Sequence, residues 1–129
     1  MKKGKVLALD YGASRIGLAT GDLEHKIAFP RDIIENKGDA VERILNLCKE
    51  LDIVLVVVGL PLQMQENRQE NPILKELNKF VEKLKQAGLK VTFLDERLSS
   101  FEAKEMTGES RNVDAHAAQI ILQRYFDGL

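Results

Sequence analysis

The stretch IVLVVVGLP, residues 53–61, constrains the fold of this chain more than any other. It is rich in β-branched residues, almost wholly apolar, and stops at Gly59 and Pro61. A strand with one wet face alternates polar and apolar residues. A continuous apolar run is instead the signature of a parallel strand inside a sheet covered on both faces. Such a sheet needs helices to cover it, and two amphipathic segments flank the run. In GDAVERILNLCKELD, residues 38–52, Val41, Ile44, Leu45, Cys48 and Leu51 follow the spacing of one helical stripe. Asp39 is placed to cap that helix at its N-terminus. PILKELNKFVEKLKQAG, residues 72–88, is the second amphipathic helix, opened by Pro72 and closed by Gly88.

The remaining elements fill in a mixed α/β domain. KVLALDYG (5–12) reads as a buried first strand and RIGLATGD (15–22) as a second. The short link between them predicts a hairpin. KIAFPRDIIE (26–35) is a third strand, and Pro30 inside it requires an edge position or a bulge. KVTFLDE (90–96) is a fifth strand. SSFEAKEM (99–106) starts a short helix, with Ser99 and Glu102 spaced as a capping box. NVDAHAAQIILQRYF (112–126) is a final helix. At 129 residues the chain is expected to form one domain over 1–129.

Composition narrows the function classes. Nineteen Lys and Arg against 20 Asp and Glu leave a net charge of -1. The broad basic footprint of a protein that grips many phosphates is therefore missing. No apolar run approaches the roughly 18–20 residues of a membrane span. The first apolar run is too short for a signal-peptide core, and it meets Asp10 where a cleavage site would need small residues. A cytoplasmic protein without a membrane partner is expected. Cys48 is the single cysteine, set in the apolar stripe of a helix, and reads as a buried structural thiol.

The acids carry the chemistry. Ligand sites of α/β sheets lie beyond the carboxyl ends of the strands. Asp10 ends the first strand, Asp95 and Glu96 end the fifth, and Asp114 opens the last helix. Positions 114, 118, 121 and 125 share one helical face, so Asp114 begins the face that packs on the sheet. Neighbouring strand residues point to opposite faces, so at most one of Asp95 and Glu96 can join Asp10. Carboxylates converging without a histidine or cysteine cluster suit a hard cation such as Mg²⁺. His25, in a turn, and His116, on another helical face from Asp114, read as surface residues.

Four blocks together resemble a known family. LDYGASRIGLA (9–19), VVGLPLQM (57–64), LDERLSSFEA (94–103) and VDAHAAQIILQRYF (113–126) are similar, in order and over nearly the whole chain, to the YqgF/RuvX family. Its members are described as pre-16S rRNA nucleases and Holliday-junction-resolvase-like proteins. The resemblance implies a ribonuclease H-like α/β fold: a five-stranded mixed sheet, strands one to three antiparallel, with helices on both faces. It implies a Mg²⁺- or Mn²⁺-dependent nuclease with Asp10, Glu96 and Asp114 as catalytic metal ligands, Asp95 being the alternative to Glu96. Arg15 and Arg97 would meet the substrate. That substrate would be RNA, in 5′-end maturation of pre-16S rRNA, free or in ribosomal precursor particles, with a monomer or homodimer acting on it. Branched DNA is the alternative substrate, and a catalytically silent RNA-binding module the alternative role. The chain departs from the family pattern in the loop QENRQENP (65–72) and in the short, lysine-poor KEMTGESRN (104–112).

Overall fold

The structure is a computed structural model that describes residues 4–60, 72–95 and 115–129, with Leu60 and Asp95 described by their backbone alone. Its elements are labelled in chain order. They are β1 (Lys5–Tyr11), β2 (Arg15–Asp22), β3 (Phe29–Glu35), α1 (Ala40–Leu51), β4 (Ile53–Leu60), α2 (Pro72–Gln86), β5 (Val91–Asp95) and α3 (Ala115–Asp127). The five strands form one sheet of order β3-β2-β1-β4-β5. β1 pairs antiparallel with β2, and β2 with β3. β4 runs parallel to both β1 and β5. The apolar run that opened the sequence reading is this interior parallel strand, and Val56, Val57 and Val58 are fully buried.

Strand alternation sorts the core into two layers. Leu7, Leu9, Tyr11, Ile16, Leu18, Val56 and Val58 pack against α1 and α2. Val6, Ala8, Ala19 and Val57 pack against α3 through Ala118, Ile121, Leu122 and Phe126. The helices thus cover both faces, as expected. Cys48 lies in the first layer, 4% exposed, and desolvation pushes its thiol up to about 11. That is an inert structural cysteine. No described helix is long and apolar enough to cross a membrane.

Pro30 earns both of its predicted roles. β3 is an edge strand, and its register against β2 slips between Leu18, opposite Asp32, and Ala19, opposite Pro30. The strand nonetheless starts at Phe29, three residues later than the sequence suggests. Residues 26–28 are claimed by α3 instead. Gln123 Oε1 accepts from the Ala28 N–H at 3.0 Å, and Gln119 Nε2 donates to the Ala28 carbonyl at 3.0 Å. Gln123 Nε2 also donates to the Lys26 carbonyl at 3.0 Å, and Lys26 has a φ of 56° that no strand accommodates. Two glutamines one helical turn apart therefore replace a strand partner. Gln123→Ala leaves a partly buried amide and a carbonyl without these partners. It is expected to lower unfolding free energy by about 1–3 kcal/mol in urea titrations.

Asp39 occupies the N-cap position of α1, but its side chain makes no capping hydrogen bond. Its backbone, at φ -95° and ψ 5°, is not in the extended conformation that aims a capping oxygen at the first turn. The helix entry is held by a backbone turn, with the Ala40 N–H donating to the Lys37 carbonyl at 2.9 Å. Gly88, at φ 98°, ends α2 as anticipated. The predicted helix with its Ser99–Glu102 capping box lies outside the described residues, as do the departing segments 65–71 and 104–112.

Candidate functional site

Asp10 is the one fully buried charged residue among those described. It is the sixth residue of β1 and shares the α3 face with Val6 and Ala8. A carboxylate at that depth is costly without compensation, and Asp10 has interaction partners in the structure. Its immediate surroundings are unusual. Directly across on β2 stands Gly17. On β4, Gly59 follows Val58, the partner of Leu9. Gly17 alternates with Ala19, and Gly59 with Val57, both packed in the α3 layer, so each glycine belongs to Asp10's face. Side chains at directly paired positions stand about 4.5–5.5 Å apart. With glycine at both flanking positions, neither β2 nor β4 sets a side chain beside the carboxylate.

Beyond Asp10 the chain turns back through Gly12, Ala13 and Ser14 into β2. The Gly12 N–H donates to the Arg15 carbonyl at 2.9 Å, so Ala13 and Ser14 form a two-residue loop. Neither of these two has the positive φ of a primed hairpin turn. The tip is braced from β3 instead. Asn36 Nδ2 donates to the Gly12 carbonyl at 2.7 Å, and the Asn36 backbone N–H donates to the Ser14 carbonyl at 2.9 Å. The Asn36 side chain also meets the Tyr11 hydroxyl. Burial raises that hydroxyl's pKa, and the Asn36 contact works the other way. The Tyr11 ring packs edge-on against Phe80 of α2, with centroids 5.3 Å apart.

Arg15, the first residue of β2, is exposed and alternates with Gly17, so it belongs to Asp10's face at the rim of the sheet. On β5, Leu94 packs in the α3 layer and Val91 in the opposite one. Leu94 is the partner of Gly59, so the level of Asp10 runs Gly17, Asp10, Gly59, Leu94 across four strands. Glu96, Arg97 and Asp114 lie outside the described residues, as does the side chain of Asp95.

Another acidic group sits at the far end of the sheet. Asp22 is opposite Lys5, where β1 begins, and with Glu24 and His25 it brings three candidate ligand atoms within 4.8 Å. These contacts close a surface turn. The His25 N–H donates to Asp22 Oδ1 at 2.6 Å, and this bond is the main cause lowering the Asp22 pKa. His25 is exposed, as read from the sequence. A shallow groove of about 180 Å³, lined by Lys5, Thr20, Phe29 and Arg31 among others, lies at this same end and takes no part in the Asp10 site.

The sequence names Asp10 and Arg15 as site candidates, and the structure sets both at this corner; Gly17, Gly59 and Asn36 are not among those candidates. A glycine inside each of two strand patterns was the available signal, since such glycines mark a close approach. Asn36 gave none, because its partners lie 22 and 24 residues upstream.

For a hard cation the described part of the site fits. It offers a carboxylate oxygen donor, a location at a strand's carboxyl end, and glycine rather than a side chain at the paired position of β2.

A mixed sheet of this order, helices on both faces and an acid buried near the end of its central strand define a ribonuclease H-like α/β protein. The fold recurs in the RuvC of Thermus thermophilus solved with a Holliday junction substrate. That structure superposes with a TM-score of 0.61 at 14% identity, covering 97% of this chain and 94% of that one. The chain belongs to the RuvX (YqgF) family, whose model, described as "RuvX: Holliday junction resolvase", matches residues 4–128. A relative from Bordetella pertussis named "Putative pre-16S rRNA nuclease" is 39% identical over 132 residues, covering 100% of this chain and 98% of that protein. One of the same name from Fusobacterium nucleatum is 39% identical over 137 residues, covering 95% of this chain and 96% of its own length.

Proposed function

We propose that this chain is a divalent-metal-dependent nuclease that hydrolyses RNA phosphodiester bonds in 5′-end maturation of pre-16S rRNA. It would act in the cytoplasm as one ribonuclease H-like domain over residues 1–129. The observation that carries the reading is Asp10, a carboxylate sealed from solvent near a strand's carboxyl end with glycine on both flanking strands. The names of full-length relatives at 35–39% identity supply the substrate class.

Asp10, Glu96 and Asp114 would hold Mg²⁺ or Mn²⁺. Asp95 is the alternative to Glu96. Asp114 immediately precedes α3, the helix packed on Asp10's face. Divalent cations held by such carboxylates supply water activation and charge neutralisation at the leaving oxygen in phosphodiester hydrolysis. Asp10 contributes an anionic oxygen on a rigid strand. Gly17 and Gly59 set no side chain beside it that a phosphate would have to displace. Arg15 and Arg97 would hold a phosphate of the strand being cut, an electrostatic role that a net charge of -1 leaves to local residues.

The test is incubation of the purified protein with a 5′-extended 16S precursor RNA and, in parallel, a four-way DNA junction, each with Mg²⁺ or with EDTA. Cleavage of the RNA near the mature 5′ end, abolished by EDTA, is the expected result. Cleavage confined to the DNA junction would establish the resolvase that the family's description names. RNA binding without cleavage of either substrate would establish a silent binding module.

A further inference from the structure

We propose that Asn36 is a positioning residue for the Asp10 site, fixing the hairpin tip that follows the carboxylate and so the carboxylate's own placement. The proposal rests on the reading of Asp10 as a cation ligand.

Asn36 follows the last residue of β3, and β2 separates that strand from β1. It reaches past β2 to the tip, where its side chain and its backbone each hold one carbonyl, Gly12 at 2.7 Å and Ser14 at 2.9 Å. Gly12 is two residues beyond Asp10. Apart from Asn36, the tip is closed by the Gly12 N–H to Arg15 bond. An Ala-Ser loop without positive φ matches the twist of two paired strands poorly, so it needs an outside support. Asn36 also contacts Tyr11, whose ring is anchored on Phe80 of α2. One side chain thus braces Tyr11 and Gly12, the two residues immediately after Asp10. A metal-binding carboxylate must be held to within about 0.5 Å of its working position. Loss of a residue that orients a ligand costs roughly 10–100-fold in metal affinity.

The experiment compares wild type with Asn36→Leu, which keeps bulk but loses both polar atoms, and with Asn36→Ser, a milder truncation. Asp10→Asn is the control. Mn²⁺ alone is titrated against each protein by electron paramagnetic resonance. Amide exchange at Gly12 and melting temperature without metal are measured alongside. Wild type is expected to bind Mn²⁺ and Asp10→Asn to lose that binding. Both Asn36 variants are expected to bind about tenfold more weakly, with faster exchange at Gly12. A purely structural role would lower the melting temperature and leave the Mn²⁺ affinity of the folded protein unchanged. That result in both Asn36 variants overturns the proposal. Wild-type Mn²⁺ affinity in Asp10→Asn overturns the reading of Asp10 itself, and the positioning role falls with it.

Discussion

Asp10→Asn is expected to reduce metal-dependent RNA cleavage by more than about a hundredfold while the protein stays folded. Residues that merely orient a metal ligand cost roughly 10–100-fold when lost, so a direct ligand should cost more. The substitution is nearly isosteric, which spares the packing of β1 between β2 and β4. The amide also keeps one oxygen acceptor at this fully buried position, where Asp10 has interaction partners, so the fold should survive the change. A single-turnover cleavage assay and a thermal melt on the same preparation check the two halves. A rate within a few-fold of wild type would remove Asp10 from the mechanism. Gly17→Val offers a complementary test that leaves the carboxylate in place. Its side chain would stand beside Asp10 on the same face, where the proposed cation would have to approach. Cleavage should fall with it even though every acid remains.

Phe126→Ala is expected to carry the largest stability cost. Phe126 is 2% exposed and lies at the end of α3 against the sheet. Truncating a buried phenylalanine costs about 3–5 kcal/mol, measurable as a shift of the urea midpoint. The contact beneath it explains why the ring has no substitute. A methyl group on Gly21 would lie 2.7 Å from Phe126 Cε2 and 2.5 Å from the Ile27 carbonyl oxygen. Gly21→Ala therefore forces a shift of the ring and of backbone, at about 1–3 kcal/mol. The ring can move aside but the carbonyl resists. Shrinking Phe126 in the Gly21→Ala background should therefore recover only part of the loss.

The architecture was legible where local pattern and tertiary environment agree. The apolar run of β4 forms the interior strand it suggested, with Val56, Val57 and Val58 buried though Val54 is exposed, and the period of α1 and α2 matched their buried stripes. Pro30 announced an edge and a bulge because a missing N–H has few places to go. Legibility failed where the decisive partner is distant. Residues 26–28 have strand-like composition, yet Gln119 and Gln123 hold them from 91 and 95 positions away. Asp39 has the composition of a cap, but the turn from Lys37 sets a backbone in which its side chain does not act as one. At the site, Asp10 stood out because a carboxylate at the end of an apolar strand needs a reason. Asn36 did not, since a lone asparagine after an edge strand reads as an ordinary turn residue.

The two glutamines also bear on the order in which the molecule assembles. The antiparallel half of the sheet is built from hairpin neighbours whose contacts close short stretches of chain. The cover on the opposite side depends on α3 gripping a segment nearly a hundred residues earlier. Closing so long a loop is slow and comes at an entropic disadvantage until the apolar layer beneath it is engaged. The face that carries Asp10 is therefore expected to be sealed last. A chain still maturing would hold its carboxylate in water, and the corner becomes chemically distinct only when the final helix docks.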